Sequence, residues 1–167
     1  MQHLQSSYVF NGQEVGVTWI KTNTFKKFSP ITQVYGICFN DKNEILICRE
    51  KIDKKWQIPG GHPENGETPE ATLIRELEEE TDVKVKNIKK LGVQKVNYPN
   101  NPDKTGGEEF YQARLVCELD KLLPQTPDPA SGNVWERMFV PASRITEYIK
   151  WGSLGETMFA DAVNVYR

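Results

Sequence analysis

The sequence predicts an α/β sandwich of strands and two or three helices, with a β-hairpin at the N-terminus. Three observations carry that expectation. Short apolar runs bounded by Asn, Gly and Pro recur along the chain at strand length. One central segment combines helix-start chemistry with helical apolar spacing, and two further helical spacings close the chain. Strands interleaved with two or three helices pack as layers, because every apolar face must be covered. At 167 residues one globular domain is the default, long enough to bury about 70% of the surface its unfolded chain exposes.

The elements follow in order. Tyr8–Phe10 and Glu14–Ile20 read as a hairpin around Asn11-Gly12, the favoured two-residue turn. Residues 21–30 are a polar, Lys-rich link, so 1–30 reads as an extension and 31–167 as the main unit. Ile31–Phe39 and Glu44–Arg49 form a second hairpin around Asn40–Asn43. Trp56, Gln57 and Ile58 are strand-like and lead into Pro59-Gly60-Gly61. Beyond the central helix come a strand candidate at Val85–Val96 and a loop rich in Asn, Pro and Gly at Tyr98–Gly107. Strands at Phe110–Leu119 and Val134–Val140 flank a Pro-rich loop at 124–132, and Ser143–Trp151 and Glu156–Tyr166 read as helices.

The central helix has a defined start. Thr68 is placed to cap it, Pro69 suits a first position where no N–H is needed, and Glu70 meets the positive end of the helix dipole. Ala71, Leu73, Ile74 and Leu77 recur at helical spacing as a core-facing stripe. Beside that stripe Glu76, Glu79 and Glu80 are related by i,i+3 and i,i+4, which places them within an arc of about 100°. Like charges at i,i+4 cost about 0.2–0.5 kcal/mol per pair, and Arg75 is the helix's single cation. An ordinary acidic surface tolerates that cost. The two glycines at the strand-to-helix junction point further, to a close backbone approach. A hard divalent cation would relieve the repulsion, since magnesium takes oxygen ligands, few of them carboxylates, and binds substrate phosphates.

These residues resemble the Nudix box, Gly-x5-Glu-x7-Arg-Glu-U-x-Glu-Glu-x-Gly-U with U aliphatic. Gly61, Glu67, Arg75, Glu76, Leu77, Glu79, Glu80 and Val83 match in register; chance would give this at about one start position in 10^8. Asp82 stands where the family has its closing glycine, which reads as a local change at the helix end. The resemblance implies a Nudix-like α/β/α sandwich, a mixed β-sheet between helices to which the N-terminal β-hairpin is an extension, and hydrolysis of a nucleoside diphosphate linked to another moiety X. It implies that Glu76, Glu79 and Glu80 hold Mg²⁺ or Mn²⁺ with the carbonyl of Gly60. It further implies that Glu67 and Arg75 pair to pin loop to helix, and that Glu79 takes part in activating water. A general base outside the box is also open, with Glu108 and Glu109 (after Gly106-Gly107), Asp128 and Glu136 as candidates.

The substrate is left between two classes. Pro99, sixteen residues beyond Val83, with Glu108 and Glu109 after it, resembles ADP-ribose pyrophosphatases and favours a nucleotide sugar. The small size is similar to relatives that clear oxidised or non-standard nucleoside triphosphates. The basic motif upstream of the box in coenzyme A pyrophosphatases is not found. Tyr98, Phe110, Tyr111 and Trp135 are available to stack on a base, or equally to fill the core. The alternative is a catalytically silent nucleotide-binding module, against which stands the complete set of box carboxylates.

Composition excludes some partners. A net charge of −2 provides no basic footprint for nucleic acid, including an RNA end. No apolar run reaches membrane-span length, and Met-Gln-His-Leu-Gln-Ser-Ser has no signal-peptide pattern, so a cytoplasmic protein is expected. Cys38, Cys48 and Cys117 sit in apolar runs without metal-ligand spacing and read as reduced core residues. The N-terminal hairpin, marginal as an isolated unit, is a candidate for pairing two copies into a homodimer.

Overall fold

Asn11 and Gly12 hold φ of 49° and 76°, as a type I′ turn requires, and join β1 (Leu4–Phe10) to β2 (Gln13–Lys21). The computed structural model describes residues 3–103 and 107–167, so Gly106 lies outside the described residues. The hairpin is part of the main sheet. β2 runs antiparallel to β6 (Val83–Asn97) from Gly16 to Lys21, and Val15, Val17 and Trp19 are buried in the core. The stability argument for pairing it with a second copy therefore loses its premise.

The other strands are β3 (Ile31–Phe39), β4 (Glu44–Arg49), the two-residue β5 (Gly60–Gly61), β7 (Glu109–Leu122) and β8 (Glu136–Pro141). The order is β1-β2-β6-β7-β3-β4-β8, with β5 also paired to β3. β3 and β7 are parallel and the other pairs antiparallel, so the sheet is mixed. Helix α1 (Pro69–Thr81) covers one face; α3 (Gly152–Tyr166) covers the other, with the short α2 (Ile145–Tyr148) before it. Alternation along β3 feeds both layers. Val34 and Cys38 pack with Leu73 and Leu77 of α1, whereas Ile37 and Phe39 pack with Leu154, Met158 and Phe159 of α3. All three cysteines are buried and free.

Three expected elements differ. Trp56–Ile58 does not form a strand: only Gln57 bridges Cys48, and the pairing to β3 falls on Gly60–Gly61. Pro59 has no N–H to continue a ladder, and Trp56 lies under the Arg49 guanidinium, 4.4 Å from its ring centroid. The helix expected at Ser143–Trp151 is a 3-10 turn (Ala142–Arg144) followed by α2, because Ile149 turns extended (φ −113°, ψ 101°) and is buried. Helix α3 begins at Gly152 rather than Glu156, which brings Leu154 into the core.

Candidate active site

Thr68 accepts a hydrogen bond from the Ala71 N–H at 3.2 Å, and Pro69 opens α1. The buried stripe is Thr72, Leu73, Leu77, Glu80 and Thr81; Ala71 is exposed and Ile74 is 46% exposed, so these two leave the expected stripe. At about 100° per residue, Glu80 falls on the arc of Leu73 and Leu77, and Glu76 and Glu79 fan outward from it. One of the three carboxylates is thus built into the core side of the helix.

The Gly60–Gly61 strand fixes the loop against that fan. A β-carbon on Gly60, whose φ is 153°, would collide with the Val34 carbonyl and lie 2.6 Å from the Tyr35 Cα. On Gly61 it would lie 2.5 Å from Glu76 Oε1. The Gly60 N–H donates to Glu80 Oε2 at 3.0 Å, and the Cys48 thiol faces the same oxygen at 3.9 Å. Burial, followed by the fields of Glu76, Asp128 and Glu79, pushes the Glu80 carboxyl up to about 8 despite the Gly60 bond. Burial raises half-buried Glu76 as well, against the pull of Arg75.

Arg75 ties the parts together. Its Nε and one terminal nitrogen donate to Glu67 at 2.7 and 3.0 Å, and the other terminal nitrogen donates to Glu76 at 2.9 Å and Glu79 at 3.1 Å. It also donates to the His62 carbonyl at 2.9 Å. Glu67 further accepts from the Glu64 N–H and the Thr72 hydroxyl, each at 2.9 Å. The Arg75 bonds, with those donors, hold Glu67 down to about 2. Among the described residues no three acidic, His or Cys side chains close into a metal cage. The donor set is nonetheless all oxygen on one flank, and Mg²⁺ or Mn²⁺ needs only a few carboxylates there, the remainder being water or phosphate. At Gly60 the recorded contact is made by the N–H.

Asp82 does more than end the helix. It takes the left-handed cap (φ 49°, ψ 47°), its N–H donating to the Glu78 carbonyl. Its carboxylate accepts from the Thr126 N–H at 2.9 Å and the Thr126 hydroxyl at 2.6 Å. Arg137 donates to the carbonyls of Thr81, Asp82 and Leu123, supplying the cation that the last turn lacks. The Pro-rich loop is thereby tethered to the helix end. That loop carries buried Asp128, whose Oδ2 accepts from the Ser131 N–H at 2.7 Å.

The four candidate bases separate clearly. Asp128 is near enough to raise Glu76 and Glu80. Glu136 is paired with Arg49, Glu109 with Lys95 at 2.9 Å, and Glu108 accepts from the Asn100 N–H at 2.9 Å.

A cavity of about 560 Å³ lies on the α3 face between the N-terminal hairpin and Trp151. Tyr8, Tyr35, Gln57, Gln112, Arg114 and Trp151 line it, and none of the four aromatic residues expected to stack on a base does. Tyr98 and Phe110 line a smaller one, Tyr111 packs edge-on against Phe28, and Trp135 bonds to Ser131. Sequence pattern gave no access to this cavity, because strands remote in the chain build it. Arg114 is the buried cation in its lining, between Ala113 and Leu115 in the buried middle of β7, and exposed Lys150 stands at the same cavity.

A family model described as the NUDIX domain matches residues 30–156. A putative ADP-ribose pyrophosphatase, YjhB, of Bacillus subtilis is 30% identical over 94 residues, 54% of this chain and 42% of that protein. An 8-oxo-dGTP diphosphatase of Escherichia coli is 46% identical over 52 residues, 29% of this chain and 40% of that protein. An RNA pyrophosphohydrolase of Actinobacillus succinogenes is 26% identical over 127 residues, 67% of this chain and 64% of that protein. The first two matches thus span about two fifths of the relatives' length. In fold, a Bacillus subtilis pyrophosphohydrolase superposes with a TM-score of 0.68 at 20% identity, over 96% of this chain and 97% of that one. The mixed sheet between helices, the glycine loop and the carboxylate helix are the parts of one known domain, and with the model matching most of its length the chain belongs to the Nudix hydrolase family.

Proposed function

We propose that this chain is a metal-dependent pyrophosphohydrolase, cleaving a nucleoside diphosphate linked to another moiety X by attack of water on a phosphorus. The observation that carries the reading is buried Glu80, bonded to the Gly60 N–H beside Glu76 and Glu79 on a helix locked to the glycine loop. Such a cluster is costly alone and favourable around a cation. Glu76, Glu79, Glu80 and the Gly60 carbonyl are assigned as ligands of Mg²⁺ or Mn²⁺. Bound there, the ion supplies neutralisation of the diphosphate and a more acidic water.

The chain's own groups supply the remainder. Glu67 fixes Arg75, and Arg75 orients Glu76 and Glu79 through its other nitrogen. Glu79, 30% exposed against 13% for Glu76, is the carboxylate best placed to take a proton from the attacking water. Asp128 is the second candidate for that proton. Residues 31–167 would form the catalytic unit, with the N-terminal extension supplying Ser6, Ser7, Tyr8 and Val17 to a wall of the substrate cavity. Free buried cysteines suit a reducing compartment such as the cytoplasm.

A nucleotide sugar such as ADP-ribose is the preferred substrate, supported by Pro99 and by the name of the Bacillus subtilis relative. An oxidised or non-standard nucleoside triphosphate is the second reading, favoured by the short, more identical match to the Escherichia coli enzyme. An RNA 5′ end has a relative in its favour and the net charge of −2 against it. A panel of these substrates with Mg²⁺, read by product identification, decides among them. Glu79→Gln and Glu80→Gln are expected to lose about 10²–10³-fold on the best substrate. Full activity in both refutes the assigned site, and a panel left uncleaved favours the silent binding module.

A further inference from the structure

Arg114 is 3% exposed, yet among the described residues no carboxylate lies within ion-pair distance of it. Its partners are neutral: the Gln112 side-chain carbonyl at 3.1 Å and, weakly, the Ala113 carbonyl at 3.4 Å. Its Nε is buried without any hydrogen-bond partner. The guanidinium centre lies 4.5 Å from the Tyr35 ring centroid and 5.9 Å from that of Trp151. Burial draws its pKa down to about 10, which leaves the group charged at neutral pH. A buried, unpaired cation costs stability, and a free donor beside it adds to that cost.

The placement is the second observation. Arg114 lines the cavity of about 560 Å³, a size typical of small-ligand sites. Across the sheet Arg114 is the register partner of Tyr35, and Tyr35 is the partner of Gly60. Two inter-strand spacings, about 10 Å, therefore separate the Arg114 backbone from the loop that holds Glu80. Gln94 donates to Gln112 at 3.4 Å, and Gln112 donates to Gln33, so a row of amides holds the acceptor that orients the guanidinium.

We propose that Arg114 is the anion anchor of this cavity, binding a phosphate oxygen of the nucleotide half of the substrate, with Tyr35 and Trp151 as its aromatic walls. The inference rests on the pyrophosphohydrolase reading and adds to it the subsite that grips the nucleotide. Planar guanidinium donors match phosphate oxygens, and an anion in the cavity supplies the countercharge that the protein denies Arg114. In metal-free protein the carboxylate cluster repels a diphosphate, so a monophosphate is the ligand of choice for isolating this subsite.

Calorimetric titration of the full chain in EDTA with AMP and GMP, and with adenosine and guanosine as controls, tests it. At least one monophosphate is expected to bind about tenfold or more tighter than its nucleoside, one charge-assisted contact being worth that much. Arg114→Met should abolish the preference while leaving nucleoside affinity unchanged, and its Tm should equal or exceed that of the native chain, since an unpaired buried charge is removed. Arg114→Lys should retain part of the preference. Equal binding of monophosphate and nucleoside by the native chain, no binding of either, or an undiminished preference in folded Arg114→Met overturns the proposal. Because the readout needs neither metal nor turnover, it is independent of the Glu79→Gln and Glu80→Gln result. Normal anion binding in Arg114→Met alongside inactive carboxylate variants removes only the anchor.

Discussion

Glu80 receives one backbone N–H and one thiol, and otherwise sits in the fields of Glu76, Asp128 and Glu79. Its folded pKa of about 8 stands above the ordinary carboxylate value, so the native state binds its proton more tightly than the unfolded chain does. The sign follows by linkage: the stability it contributes is present below about pH 4.5 and is lost as pH rises toward 8. Glu76 acts in the same direction. In EDTA the Tm should therefore fall between pH 5 and 8, and Glu80→Gln should flatten that fall. A Tm that is level across this range in the native protein would contradict the burial argument. Glu67, held down to about 2, acts oppositely; its stabilisation is present above pH 4.5 and disappears as pH falls toward 2. Acid unfolding of Glu67→Gln, followed by circular dichroism, should lack that component.

The glycine loop and helix α1 work as one element because Gly61 leaves room for the Glu76 carboxylate. Gly61→Ala should lower turnover about 10²-fold through a displacement of about 1 Å, with Tm nearly unchanged; native turnover would show that the Glu76 position does not matter. At the other helix end, Asp82 accepts a strained left-handed conformation and in return holds Thr126. Asp82→Gly should leave Tm close to native, since relief at the cap offsets the lost bonds, while amide exchange at Thr126 accelerates. Unchanged exchange there would show that the loop is held by other contacts. Both elements illustrate what the sequence made legible. The spacing of Glu76, Glu79 and Glu80 is local arithmetic on a helix, and Thr68-Pro69 marks its start. The Asp82–Thr126 tether and the Arg137 cap join positions far apart in the chain, which no periodicity reveals.

For the whole molecule, the strands could be read from strand-length runs and turn residues, but the pairing of β3 with β7, which makes the sheet mixed, and of β2 with β6 could not. That pairing makes the N-terminal hairpin a wall of the cavity and places Arg114 beside Tyr35. The sandwich thus sets the Glu76, Glu79 and Glu80 carboxylates on α1 and the buried Arg114 guanidinium on the α3 face about two strands apart. Divalent cations should also raise Tm, since binding to the folded state alone at a hundred times Kd contributes about 2.7 kcal/mol; scanning calorimetry with and without Mg²⁺ checks this, and an unshifted Tm would contradict it.

The most direct measurement is a Mn²⁺ titration of the native chain and of Glu76→Gln, Glu79→Gln and Glu80→Gln, followed by electron paramagnetic resonance of the free ion. The native protein should bind Mn²⁺, and each substitution should weaken that binding about tenfold or more, as loss of one charged ligand implies. Native protein that leaves the free Mn²⁺ signal undiminished, or folded variants that bind as tightly as the native chain, would contradict the assignment of these carboxylates to a cation.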